Sequence, residues 1–71
     1  MNSAIIAERI KHLCKQKKVT VLSVLLACDV NKNFIYDLEK GGSSPSADKL
    51  YRIADYFDCS VDYLLGRSDT P

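Results

Sequence analysis

Between Asn31 and Lys40 the chain reads NKNFIYDLEK, and five of its side chains, Lys32, Asn33, Tyr36, Asp37 and Lys40, mix hydrogen-bond donors with acceptors. That mixture suits edge-on recognition of nucleobases. An Asn amide can pair in bidentate fashion with adenine, a Lys ammonium reaches guanine or a phosphate, and an Asp carboxylate accepts from the cytosine amino group. A helix face that merely meets water needs no such combination. Phe34 and Tyr36 are ambiguous at this level: each could touch a thymine methyl or a sugar, or could cover the edge of a core. Asn31, Lys40, Thr20, Ser43 and Ser44 can approach phosphates. For the three hydroxyl residues helix capping and turn chemistry is already a sufficient role without any ligand.

Other chemistry finds little support. Cys14, Cys28 and Cys59 are odd in number and lack a C-x-x-C pair, so neither a disulfide framework nor a zinc site is implied. They read as small apolar residues of a reducing compartment. His12 stands between Lys11 and Leu13 without a second His or a clustered carboxylate, and reads as a surface imidazole. No nucleophile elbow, Gly-rich phosphate loop or Cys-His pairing appears. Hence no enzyme, cofactor or small-molecule ligand is expected.

Helical elements must position the polar set. Ser3 can cap a first helix over about residues 4–17, with Ile6, Ile10, Leu13 and Cys14 inward and Lys15, Lys17 and Lys18 near its C-terminus. Thr20 can cap a second through Leu22, Val24, Leu25 and Cys28. Asp29-Val30 makes a tight break, and Asn31 can cap a third helix whose Ile35 and Leu38 face inward. Two short helices about a tight break, the second with a polar outer face, read as a helix-turn-helix. Gly41 to Pro45 is turn-rich, Ser46 can cap a fourth helix with Leu50, Ile53, Ala54 and Phe57 inward, and Ser60 a fifth with Val61, Leu64 and Leu65. Residues 67–71 read as a frayed tail. No stretch alternates long enough to compete as a strand.

The 71 residues, 46% apolar, make one small α-helical domain whose marginal core would gain from a partner. No apolar run approaches a membrane span, and the basic residues of the first helix follow the apolar ones, which does not fit a signal peptide. A cytoplasmic location follows. The net charge of +1 is low for a nucleic-acid binder, but it is unevenly divided. Residues 1–40 carry seven Lys and Arg against four Asp and Glu, and residues 41–71 three against five. The basic half holds the polar helix, so the acidic half should face away from phosphate.

Taken in order, IAERIKHL, the Thr20 opening, VNKNFIYDLEKG, SSPSADKLYRIADYF and CSVDYLLGR resemble the lambda-repressor-like, XRE-type helix-turn-helix family of phage repressors, Cro proteins and bacterial regulators. The resemblance spans about residues 5–66. It implies an all-α, compact five-helix domain that binds double-stranded operator DNA as a two-fold homodimer. Lys32, Asn33, Tyr36 and Asp37 would then read bases, and Thr20, Asn31, Phe34, Lys40, Ser43 and Ser44 would position the domain. Tyr56, Val61, Tyr63, Leu64 and Leu65 are the candidates for the dimer contact. A repressor or Cro-like regulator is expected; a DNA-binding antitoxin or an interaction module of the same fold is the alternative.

Four positions depart from the family pattern. Val21 stands where a phosphate-binding Gln usually opens the second helix, and Leu25 stands at a close crossing that usually has a small residue. Room for Leu25 could come from Ala27 or Ala54. Asp29 replaces the turn Gly, and Asp tolerates the left-handed region better than most residues. Cys14 replaces an Arg that usually pairs with the Glu ending the reading helix, leaving Glu39 to find Lys40, Lys15, a backbone amide or water.

Overall fold

A computed structural model describes residues 3–41 and 45–71, and Ser43 and Ser44 lie outside the described residues. Five helices follow in order: α1 Ser3–Lys17, α2 Val21–Ala27, α3 Phe34–Lys40, α4 Ala47–Phe57 and α5 Val61–Leu64. The described residues include no strand. None of these helices is long and apolar enough to cross a membrane.

Three starts follow from the expected caps. The side-chain oxygens of Thr20, Ser46 and Ser60 accept the backbone N–H of Ser23, Lys49 and Tyr63, each at 3.1–3.2 Å, satisfying donors that the first helical turn leaves unpaired. Two other expected caps work differently. Ser3 is the first residue of α1 and turns its hydroxyl inward, donating to the Leu38 carbonyl at 2.9 Å. Asn31 does not cap α3: its side-chain oxygen accepts the Asn33 N–H at 2.8 Å, and its carbonyl accepts from Phe34 N–H at 3.0 Å. This local turn uses up the Asn and delays the helix to Phe34.

One device closes four of the helices. Lys18, Asp29, Asp58 and Gly66 have φ of 58°, 57°, 55° and 78°, and the two N–H groups at each site turn back into the last turn. Val19 donates to Cys14, Val30 to Leu25, Cys59 to Ala54 and Arg67 to Asp62, at 2.8–3.0 Å. Paired with the bonds from Lys18, Asp29, Asp58 and Gly66, these form Schellman closures. In the first three an apolar residue follows the left-handed one, which tucks the chain back towards the core. Gly41, φ 73°, is also left-handed and ends α3 with its N–H donated to the Leu38 carbonyl at 3.1 Å.

The core is continuous. Ile6, Ile10, Val24, Ile53 and Leu64 have no exposure, and Leu13, Leu25, Leu38, Leu50 and Phe57 surround them. α1 packs on α2, α3 and α5, and α4 closes against α2 and α5. Leu25 is accommodated although Ala27 lies on the solvent side; Ala54 is buried as expected. Leu22 departs from its expected inward role, being 53% exposed. The inward face of α2 is centred between Val24 and Leu25, and at about 100° per residue Leu22 falls roughly 110° from that centre, on the exposed flank of the helix. After α5 the Arg67 N–H donates to the Asp62 carbonyl at 2.9 Å, and the exposed Asp69 meets the Arg9 guanidinium at 3.2 Å.

Candidate nucleic-acid interface

The α2–α3 unit is built so that the polar residues of 32–40 have nowhere to go but outward. Phe34, Ile35 and Leu38 are buried, anchoring α3 through one face. Lys32, Asn33, Tyr36, Asp37 and Lys40 are all exposed. Lys32 and Asn33 occupy the turn that leads into the helix, and Tyr36, Asp37 and Lys40 lie on the helix itself. They form one continuous outer surface. The Lys40 ammonium lies 5.2 Å from the centre of the Tyr36 ring, an i,i+4 cation–π contact that places a positive charge beside the aromatic face.

Phe34 leaves the surface. It is only 7% exposed, with the Lys49 ammonium 5.9 Å from its ring, so it packs the start of α3 against the core and its ring is withdrawn from any thymine methyl. Thr20 is exposed at the head of α2, where its hydroxyl accepts from Ser23 and its carbonyl accepts from the Ser23 hydroxyl at 2.8 Å. Val21 beside it is half-buried and offers no polar atom of its side chain.

Glu39 finds a partner that sequence spacing did not single out. Lys11 Nζ meets its carboxylate at 2.7 Å across the α1–α3 junction. Lys11 precedes the Cys14 position by three residues, so it projects from a neighbouring part of the same helical surface. Arg52 was likewise missed: its guanidinium donates to the Cys28 carbonyl at 3.4 Å and pairs with Asp48 at 2.8 Å. In return the Cys28 thiol donates to the Arg52 carbonyl at 3.6 Å, which ties the end of α2 to α4. The i,i+4 spacing of Asp48 and Arg52 marks that pair in the sequence, whereas nothing beyond charge of the right sign marks Lys11 with Glu39, and nothing marks the reach of Arg52 to Cys28.

Cysteine chemistry stays quiet. Burial pushes the Cys14, Cys28 and Cys59 thiols up, away from the reactive thiolate. Cys14 and Cys28 are buried and Cys59 half-buried. His12 is exposed, as expected.

The apolar C-terminal residues divide. Tyr63 and Leu64 are core, with Tyr63 beneath the Arg9 guanidinium at 4.4 Å, and this removes both from the candidate dimer surface. Their α5 face is consumed by packing on α1. Tyr56 is 43% exposed, Val61 and Leu65 are half-buried, and Tyr51, 67% exposed, lies one helical turn from Asp55 on the same side of α4. A shallow cleft lined by Tyr51, Ala54, Asp55, Cys59, Ser60 and Val61 joins α4 to the start of α5.

Comparison with known proteins agrees with this geometry. A family model described as helix-turn-helix matches residues 10–64. Over 64 residues the chain is 33% identical to the HTH-type transcriptional regulator YobD of Bacillus subtilis (strain 168), an uncharacterised protein; the match covers 90% of this chain and 57% of that relative. The chain therefore spans little more than half the length of the curated relative it matches. Comparison with solved structures gives no match. With the matched residues running from the middle of α1 to the end of α5, through both helices of the α2–α3 unit, the chain belongs to the helix-turn-helix family and has its lambda-repressor-like five-helix architecture.

Proposed function

We propose that this chain is a sequence-specific DNA-reading domain of a transcriptional regulator, of the repressor or Cro-like kind found in phages and prophages. It binds a palindromic operator in the cytoplasm as a homodimer. The observation that carries this reading is the two-sidedness of residues 31–40: Phe34, Ile35 and Leu38 are buried, while Lys32, Asn33, Asp37 and Lys40, with the amphipathic Tyr36, are exposed. In the major groove, Asn33 and Lys32 would meet purine edges and Asp37 a cytosine, with Tyr36 against a sugar or methyl. Lys40, Thr20 and Asn31 would contact phosphates, joined by Ser43 and Ser44. Regulation follows from occupying DNA that polymerase needs. A second reading, an interaction module or antitoxin of the same fold, is favoured by Val21 at the usual phosphate anchor and by Leu22 and Leu26, 53% and 70% exposed on α2.

Selection of bound sites from a random DNA pool, followed by gel shifts at several salt concentrations, separates the two. A DNA reader enriches a palindrome and loses affinity steeply with salt. Lys32→Ala and Asn33→Ala should then each weaken the selected site by about 1–3 kcal/mol with melting temperature unchanged, since one good base contact is worth that much. A pool that enriches nothing, or two variants with wild-type affinity, defeats the assignment.

A further inference from the structure

Ser3 is the buried polar side chain of the described core, 4% exposed, and it spends its hydroxyl on α3. The acceptor, the Leu38 carbonyl, lies 35 residues away in the last turn of the reading helix and also accepts the Gly41 N–H at 3.1 Å. α3 has seven residues and no side-chain cap on its first turn. A helix that short does not hold its own geometry in water, since isolated helices below about 12 residues are marginal. Its placement has to come from outside. Apolar packing of Phe34, Ile35 and Leu38 fixes which face is inward but tolerates sliding and rolling, because it has no preferred direction. A hydrogen bond has direction and length. The Ser3 bond is buried and so unscreened, whereas the neighbouring Lys11–Glu39 pair is half exposed on both sides and holds weakly.

Resting on the DNA-reading role given above, we propose that Ser3 is a positioning residue for base recognition: its hydroxyl sets the axial position and roll of α3, and through them the aim of the base-reading side chains. Base-edge hydrogen bonds are strict in distance and angle, while phosphate contacts are forgiving. Loss of the bond should therefore erode discrimination between sites and leave general DNA affinity in place.

The test compares wild type, Ser3→Ala and Ser3→Thr on the site selected by the wild-type chain and on a scrambled duplex, with melting followed in parallel. Ser3→Ala should lose about tenfold in the ratio of specific to non-specific affinity, with non-specific binding within about twofold of wild type. Ser3→Thr, which keeps the hydroxyl, should recover most of the ratio. If Ser3→Ala melts below the assay temperature, Ser3→Cys keeps the volume with only a weak donor and carries the same expectation. An unchanged ratio in Ser3→Ala or Ser3→Cys, or equal loss on both duplexes, overturns the assignment. A wild-type chain that selects no site overturns the DNA reading itself and the role of Ser3 with it, an outcome visible before any variant is made.

Discussion

At the level of single residues, the helix ends are where backbone conformation and side-chain type disagree. Lys18, Asp29 and Asp58 sit in the left-handed region, where a Cβ costs energy that Gly does not incur. Asp58 is exposed and caps the end of α4, outside the 31–40 segment. Asp58→Gly should raise stability by about 0.5–1 kcal/mol, the relief of strain exceeding the added freedom of the unfolded chain. Urea denaturation checks this, and a lower midpoint would show that the Asp side chain contributes more than its backbone costs. Residue-level legibility was uneven for a physical reason. Thr20, Ser46 and Ser60 could be read as caps because the interaction is local, spanning three residues. Asn31 could not, because Asn stabilises a turn and a cap with the same side-chain oxygen. The partners of Ser3 and Glu39 lie 35 and 28 residues away in sequence, and no spacing rule reaches that far.

Among the elements, α3 depends most on its neighbours. Leu38 is 1% exposed and sits where α1 and α3 meet, beside the carbonyl that Ser3 holds. Leu38→Ala should cost roughly 2–5 kcal/mol, a large share of what a domain this small can have. Thermal denaturation by circular dichroism would report it, and a variant that melts with wild type would mean that the packed and reading faces have been interchanged. Periodicity identified the inward faces of α1, α3 and α4, where polar residues alternate with apolar ones at helical spacing. It failed for α2, VLSVLLA, which has no charged residue at all. Sequence pattern cannot choose among three apolar faces, so the exposure of Leu22 and Leu26 emerged only from packing. The same limit applies to α5, where Val61, Tyr63, Leu64 and Leu65 are consecutive or nearly so, and two of them belong to the core.

For the whole molecule, dimensions bear on assembly. The domain measures 28 × 26 × 20 Å between Cα atoms, and half-sites one turn apart on a duplex are centred about 34 Å apart. Two such domains on adjacent turns would stand within side-chain reach of each other. Tyr56, Val61 and Leu65, with Tyr51, would provide the apolar surface for such a meeting, Tyr63 and Leu64 being buried in the core. Tyr56→Glu and Leu65→Glu should each reduce protection from both half-sites to one at limiting protein, with the fold retained. Footprinting of the wild-type chain on the selected site is the check, and protection of one half-site at saturation would exclude the dimer. The packing of α1 on both α3 and α5 has a further consequence, for the order of events in synthesis. α1 is made before the elements that cover it, and its apolar stripe is closed by helices that end at residues 40 and 64. At about 5–20 residues per second, the stripe waits roughly 2–10 s for α5 to be made. During that interval Ile6, Ile10 and Leu13 are open to chaperones and to one another on neighbouring nascent chains, and the domain can close only after most of it has been translated.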